Sequence, residues 1–169
     1  MNGSIDRLTL LQKIYLDALD DYKAGIDQDG DIEFIHPDAG TFFIVLNSEA
    51  DPEYLNIRFM NFMTTEDGGV KKEDLIVLAN EINHQNKAVK ITVSYWEERK
   101  VWIANASIEA FVAGPDELPS AHLIKSILRR NIGAIRNGVN DFRSELKKRL
   151  AEKAERASPI LKLMRPADG

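Results

Sequence analysis

The amino-acid sequence predicts an α+β fold in the order α-βββ-α-ββ-α, with an antiparallel sheet packed against helices. Some segments repeat apolar residues every three or four positions, as an amphipathic helix does, and in others every second residue is apolar, as in a strand. The strand-like segments follow one another in groups joined by turns. This grouping favours an antiparallel sheet over one built from alternating strands and helices.

The first element is predicted to be a helix, because its apolar residues from Ile5 to Tyr22 recur at helical spacing. Ser4 is suited to cap the start of this helix, and Gly25 is suited to end it. Three strands follow at residues 32–35, 41–46 and 54–60. The turn between the first two contains proline, aspartate and glycine, which is typical of a hairpin.

A short second helix places Leu75, Leu78 and Ile82 on one side and carries asparagines at Asn80, Asn83 and Asn86. Asparagine is a poor helix former, so its repetition calls for a reason. The favoured interpretation of Asn80 and Asn83 is structural: their amides finish the helix and bond the backbone of a neighbouring strand or loop. The alternative is a polar binding surface.

A long hairpin is predicted at residues 89–95 and 101–111, and Pro119 and Ser120 start a last helix that runs to Leu150 or beyond. Its apolar residues are spaced alternately by four and three positions: Leu128, Ile132, Ile135, Val139, Phe142 and Leu146. This spacing is typical of a packed seam. The seam either closes a homodimer or docks on the sheet, and docking is favoured because fewer than three heptads make a short coiled coil.

Length and composition favour one domain at residues 1–156, with a flexible tail at residues 157–169 that contains two prolines. The chain has 169 residues and no cysteine, which excludes disulfides and thiolate metal sites. No apolar run approaches the length of a membrane span, and Asp6 and Arg7 interrupt any signal-peptide pattern. A cytoplasmic protein without membrane association is therefore expected.

The net charge of -5 is unevenly distributed. Residues 1–117 carry 10 basic and 22 acidic side chains, whereas residues 118–169 carry 12 basic and 5 acidic ones. The basic last helix could contact nucleic acid, or it could meet an acidic surface within the protein or on a partner. A solvated helix face is the favoured interpretation, and nucleic-acid binding is a minority hypothesis, because the strands show no evident exposed aromatic pair for base stacking.

No catalytic constellation is visible in the sequence. The histidines His36, His84 and His122 lie in different elements without a nearby carboxylate pair, so they are interpreted as surface residues and not as metal ligands. Neither a nucleophile elbow nor a phosphate-binding glycine loop is present. We therefore expect no catalytic residue, no metal and no cofactor.

The order of elements resembles the YbjN family, whose fold is similar to that of type III secretion chaperones. The resemblance is carried by residues 25–34, residues 51–55 and residues 78–83, followed by the hairpin and the final helix. It implies a noncatalytic α+β domain with a curved antiparallel sheet and a protein-binding surface. Chaperones of this shape typically form dimers, so the resemblance also implies a homodimer.

Together these features predict a noncatalytic protein-interaction or chaperone-like domain, regulatory in its role, whose protein partner the sequence does not identify. Trp96 and Trp102 are candidate anchors for that partner. One alternative is a small-ligand or enzymatic site assembled from distant residues. The other is nucleic-acid binding through the basic C-terminal helix.

Overall fold

The computed structural model describes residues 6–46, 51–115 and 117–163, and within them three helices and six strands. The helices are α1 (Arg7–Ala18), α2 (Lys72–Gln85) and α3 (Ala121–Leu163). The strands are β1 (Lys23–Ile26), β2 (Ile32–His36), β3 (Gly40–Val45), β4 (Tyr54–Thr64), β5 (Lys90–Trp96) and β6 (Val101–Phe111). All adjacent strands are antiparallel, in the order β1-β2-β3-β4-β6-β5. The predicted α+β class is therefore confirmed.

The start of the chain differs from the prediction, because α1 ends at Ala18 and Gly25 lies in β1. The predicted helix end at Gly25 is wrong. Leu19 is buried in the turn after the helix, and the ring of Tyr22 packs on Phe34. Because both residues face the core, the helical spacing of apolar residues in the sequence continues beyond the end of the helix. The proposed cap Ser4 lies outside the described residues.

Strand β4 is longer than predicted because a bulge interrupts its alternation. Phe59 pairs with Ala106 and Met63 with Ala104, so β4 carries two extra residues between these pairs. Asn61 has a φ of 54°, and its N–H donates to Oδ1 of Asn105 at 2.8 Å. Oδ1 of Asn105 thus supplies the acceptor that the interrupted ladder does not provide for the N–H of Asn61.

The three helices form one layer on the sheet, with α3 between α1 and α2. The helix-covered face is the face of the sheet that carries the aromatic side chains Phe34, Phe42 and Phe59. The six residues of the predicted seam on α3 are all at most 2% exposed and belong to this core: Leu128, Ile132, Ile135, Val139, Phe142 and Leu146. This burial corresponds to docking on the sheet, and a homodimer through the seam would require these side chains to leave the core.

Helix α3 continues past the predicted domain boundary at residue 156 as far as Leu163. Residues 164–169 lie outside the described part of the chain, so the flexible tail stays a prediction. No helix among the described residues is long and apolar enough to cross a membrane.

Candidate interaction surface

The basic side chains at the start of α3 face acidic residues that follow α1. Lys125 bonds Asp20, and Arg129 donates to Asp21 at 2.8 Å. The hydrogen bond from Arg129 is the main cause that lowers the pKa of the Asp21 carboxyl. The first part of the basic helix therefore meets carboxylates of its own chain.

The later part of α3 faces α2 in the same way. Arg149 bonds Glu81 on α2 and Glu145 on its own helix, and Lys153 bonds Asp74 near the start of α2. The bond from Lys153 lowers the pKa of the Asp74 carboxyl. The basic side chains of α3 thus pair with acidic residues of the same chain, and fewer of them are left to bind a phosphate backbone.

His36 is buried, at 8% exposed, which corrects the prediction that all three histidines lie on the surface. Its Nδ1 accepts the N–H of Asp38 at 3.1 Å, and its Nε2 lies 3.5 Å from a guanidinium nitrogen of Arg136. Burial, and then the charge of Arg136, lower the pKa of the imidazole. The imidazole packs between the rings of Tyr22 and Phe42, so His36 is a packed residue of the core side of the sheet.

We expect the free energy of unfolding to decrease as the pH is lowered below about 6.5, the ordinary pKa of histidine. The folded state lowers the pKa of His36, so the unfolded state binds the proton more readily and is favoured as the pH falls. The His36 contribution is complete above that pH and is lost below it. Chemical denaturation of wild type and His36→Gln across this range measures the difference.

His84→Gln is the matched control, because His84 is exposed on α2. Its pH profile should follow that of the wild type, whereas the profile of His36→Gln should be flatter. A His36→Gln profile as steep as the wild type would assign the acid sensitivity to other groups.

A depression on the described part of the chain shows no paired catalytic groups either. The depression between α2 and α3 measures about 490 Å³ and is lined mainly by charged and polar side chains, including Glu81, Asp141, Glu145 and Lys148. No group of three or more histidines and carboxylates suited to a metal ion occurs within the described residues. The buried Tyr15 hydroxyl has a pKa raised by burial, but it lies in the core. No nucleophile and base are paired at these places.

The face of the sheet opposite the helices is the open face. One register row crosses all six strands on this face: Gly25, Glu33, Phe43, Arg58, Ser107 and Lys90. Three of its apolar side chains are well exposed, with Ile35 at 49%, Met60 at 37% and Phe111 at 72%. Val101 and Ile103 are buried on the same face, whereas the open-face residues of β1 and β5 are mostly exposed, so the accessible part extends from β1 to β5 and includes the end of β6.

Two apolar patches lie at opposite ends of this accessible part. Ile35 and Met60 mark one end, and Tyr54 and Phe111 mark the other, where their ring centroids are 5.4 Å apart. Six residue steps along β4 separate Tyr54 from Met60, so the two patches lie roughly 20 Å apart. The Tyr54–Phe111 pair is partly exposed, since Phe111 is exposed and Tyr54 half-buried, and the sequence did not make this pair evident.

The two tryptophans predicted as anchors lie on opposite faces of the sheet. Trp96 lies on the open-face side of β5, half-buried, with the Arg99 guanidinium 5.3 Å from its ring centroid. Trp102 lies on the helix-covered side, where the Lys72 ammonium is 4.0 Å from its ring centroid and Tyr95 packs beside it. The two rings therefore do not form one surface.

The exposed apolar residues of the open face were not predicted from the sequence, although the alternation of the strands contains a signal for them. Alternation in β4 and β6 separates the buried face from the other one, so Met60 and Phe111 were assignable to the second face. Which face the helices cover emerges only from the packing.

The fold is similar to that of a solved bacterial protein. The crystal structure of YbjN from E. coli, described as a candidate transcription regulator, matches with a TM-score of 0.57 at 13% sequence identity. The match covers 83% of this chain and 93% of the YbjN chain. At this identity the likeness shows the fold, and the predicted YbjN-like architecture is confirmed to that extent. No family model matches the sequence, and no curated protein matches it.

Proposed function

We propose that this chain is a noncatalytic protein-interaction domain with a regulatory role, and that it binds a protein partner on its open face. The observation that carries the proposal is the one-sided helix layer, which leaves Ile35, Met60 and Phe111 exposed on the other side. Single exposed apolar side chains are ordinary, but grouped ones with a polar rim mark interaction sites. The two patches suit a partner segment that extends along β4.

The charges of the open face favour a protein over nucleic acid as the occupant. Lys90 and Glu109 form an ion pair at 3.1 Å, and Arg58 donates to Asn56 at 3.1 Å. Lys90 and Tyr54 also hold the pKa of the Glu109 carboxyl below its ordinary range. Basic and acidic groups are therefore balanced on this face, whereas a phosphate backbone requires a basic excess.

A pull-down with a paired set of variants tests the proposal. The open-face variant combines Ile35→Ser and Phe111→Ser, and the control combines Val77→Ser and Leu123→Ser at comparably exposed apolar positions on α2 and α3. We expect a protein captured by both the wild type and the control to be lost from the open-face variant, because the anchors of an interface carry most of its energy.

Two outcomes would contradict the proposal. Equal capture by the open-face variant and the control would show that another surface binds, and failure of the wild type to retain any protein would remove the support for a partner. A gel shift of DNA or RNA at low salt that weakens as salt is added would favour the nucleic-acid alternative instead. We expect no such shift.

A further inference from the structure

The outer edge of β5 is closed at one residue by a side chain. Nδ2 of Asn83 donates to the carbonyl of Ile91 at 2.8 Å, and the N–H of Ile91 donates to Oδ1 of Asn83 at 2.6 Å. Both backbone groups of Ile91 therefore point away from β6. Alternate residues of a strand direct these groups to the same side, so the N–H and C=O groups of Val93 and Tyr95 also point outward.

Beyond Ile91 this edge carries none of the usual protection against pairing. Within residues 6–46, 51–115 and 117–163, no other strand or side chain takes up the outward groups of Val93 and Tyr95. Natural edge strands are commonly guarded by lysine, proline or a bulge, but no charged or proline residue lies between Lys90 and the end of β5. Tyr95 is also 40% exposed.

The charges at the two ends of β5 identify an antiparallel copy of the same strand as the occupant. Lys87 and Lys90 lie at the start of β5, and Glu97 and Glu98 lie just after its end. An antiparallel copy brings the basic end of each strand against the acidic end of the other, whereas a parallel copy brings like charges together. The nearby cation Arg99 is held by Glu66 at 2.7 Å.

We propose that two copies of this chain pair through their β5 edges and join their six-stranded sheets into one continuous sheet. Since Asn83 occupies the edge at Ile91, the two-fold axis passes near Ser94, and Val93 lies opposite Tyr95 of the second copy. In this register Lys90, which also pairs with Glu109 of its own chain at 3.1 Å, lies opposite Glu98 of the second copy. The pairing goes beyond the proposed function, because it uses the edge of the sheet and leaves the open face free.

Edge-blocking variants test the pairing in the purified chain without any partner. Val93→Pro removes an outward N–H that makes no bond to β6, and Thr92→Lys places a charge on the exposed side of the same edge strand. Sedimentation over a wide concentration range should show a wild-type dimer. Each variant should raise the dissociation constant of the dimer roughly tenfold to a hundredfold, because hydrogen bonds between the two strands are lost or a charge is buried beside them. Ile35→Lys, on the open face, is the matched control and should leave the dimer unchanged.

A charge exchange tests the antiparallel orientation. One variant carries Lys87→Glu with Lys90→Glu, and the other carries Glu97→Lys with Glu98→Lys. Each alone should dimerise more weakly than the wild type, and an equimolar mixture should form a heterodimer in which both ends again pair opposite charges. A monomeric wild type, a dimer unaffected by both edge variants, or a mixture without heterodimer would overturn the proposal. Capture of a partner on the open face would stand in any of these cases.

Discussion

Replacing Phe142 by alanine is expected to lower the free energy of unfolding by about 3–5 kcal/mol, the usual range for emptying a well-packed aromatic site. Phe142 is 0% exposed, and its ring meets Phe62 edge-on with centroids 5.2 Å apart. Neighbouring Arg143 donates to the carbonyl of Phe62 at 3.0 Å, which fixes the bulged part of β4 against α3. Because this backbone is held in place, the cavity can collapse only in part.

Urea denaturation at several protein concentrations measures this effect. Leu123→Ala is the control on the same helix, since Leu123 is 44% exposed, and its loss should stay within about 0.5 kcal/mol. If Phe142→Ala does not fold, Phe142→Leu provides a milder variant with a smaller loss. A change that grows as the protein is diluted would instead indicate that Phe142 lies between subunits, because dimer stability depends on concentration.

The sequence predicted the class of fold because its two periodicities are unambiguous over most of the chain. The seam from Leu128 to Leu146 has the spacing of a helix with one buried side, and the alternation in β6 indicates a strand. Neither pattern identifies its partner. A helix seam buried on a sheet and one buried in a dimer have the same spacing, so only the packing distinguishes them.

The predictions were wrong where a local sequence pattern is compatible with two different structures. Strand β1 has four residues, too few for alternation to be recognised, and the glycine within it suggested a helix end. The bulge at Asn61 hid the last part of β4, because two added residues shift the apolar positions. His36 was assigned to the surface because its burial depends on contacts with Arg136 and Tyr22, which are distant in the sequence.

The candidate site was less predictable than the fold, since exposure depends on what covers a residue. Trp96 and Trp102 were selected by residue type, yet a lysine or arginine lies over each ring. Phe111 is far more exposed, although its strand pattern resembles that of the buried residues beside it. The location of the helix layer, which the sequence did not specify, determines which apolar face remains open.

Replacing Asn83 by alanine is expected to destabilise the protein by about 2 kcal/mol, because two backbone groups of Ile91 lose their hydrogen-bond partners at once. Asn80→Ala is the control: Asn80 lies one turn earlier, is exposed and makes no hydrogen bond within the described residues. Its change should stay within about 0.5 kcal/mol. The two asparagines that the sequence grouped together are thus expected to differ sharply.

Hydrogen exchange separates a local effect at β5 from a general loss of stability. In Asn83→Ala the amide of Ile91 should exchange faster than the global loss alone requires, since its acceptor has been removed. Equal stability losses for Asn83→Ala and Asn80→Ala, or an unchanged exchange rate at Ile91, would contradict the role assigned to this side chain.

Loss of Asn83 also extends the free edge of β5 by one residue pair. A dimer formed through that edge should therefore become tighter in Asn83→Ala even as each subunit becomes less stable, a combination that a purely structural defect does not produce.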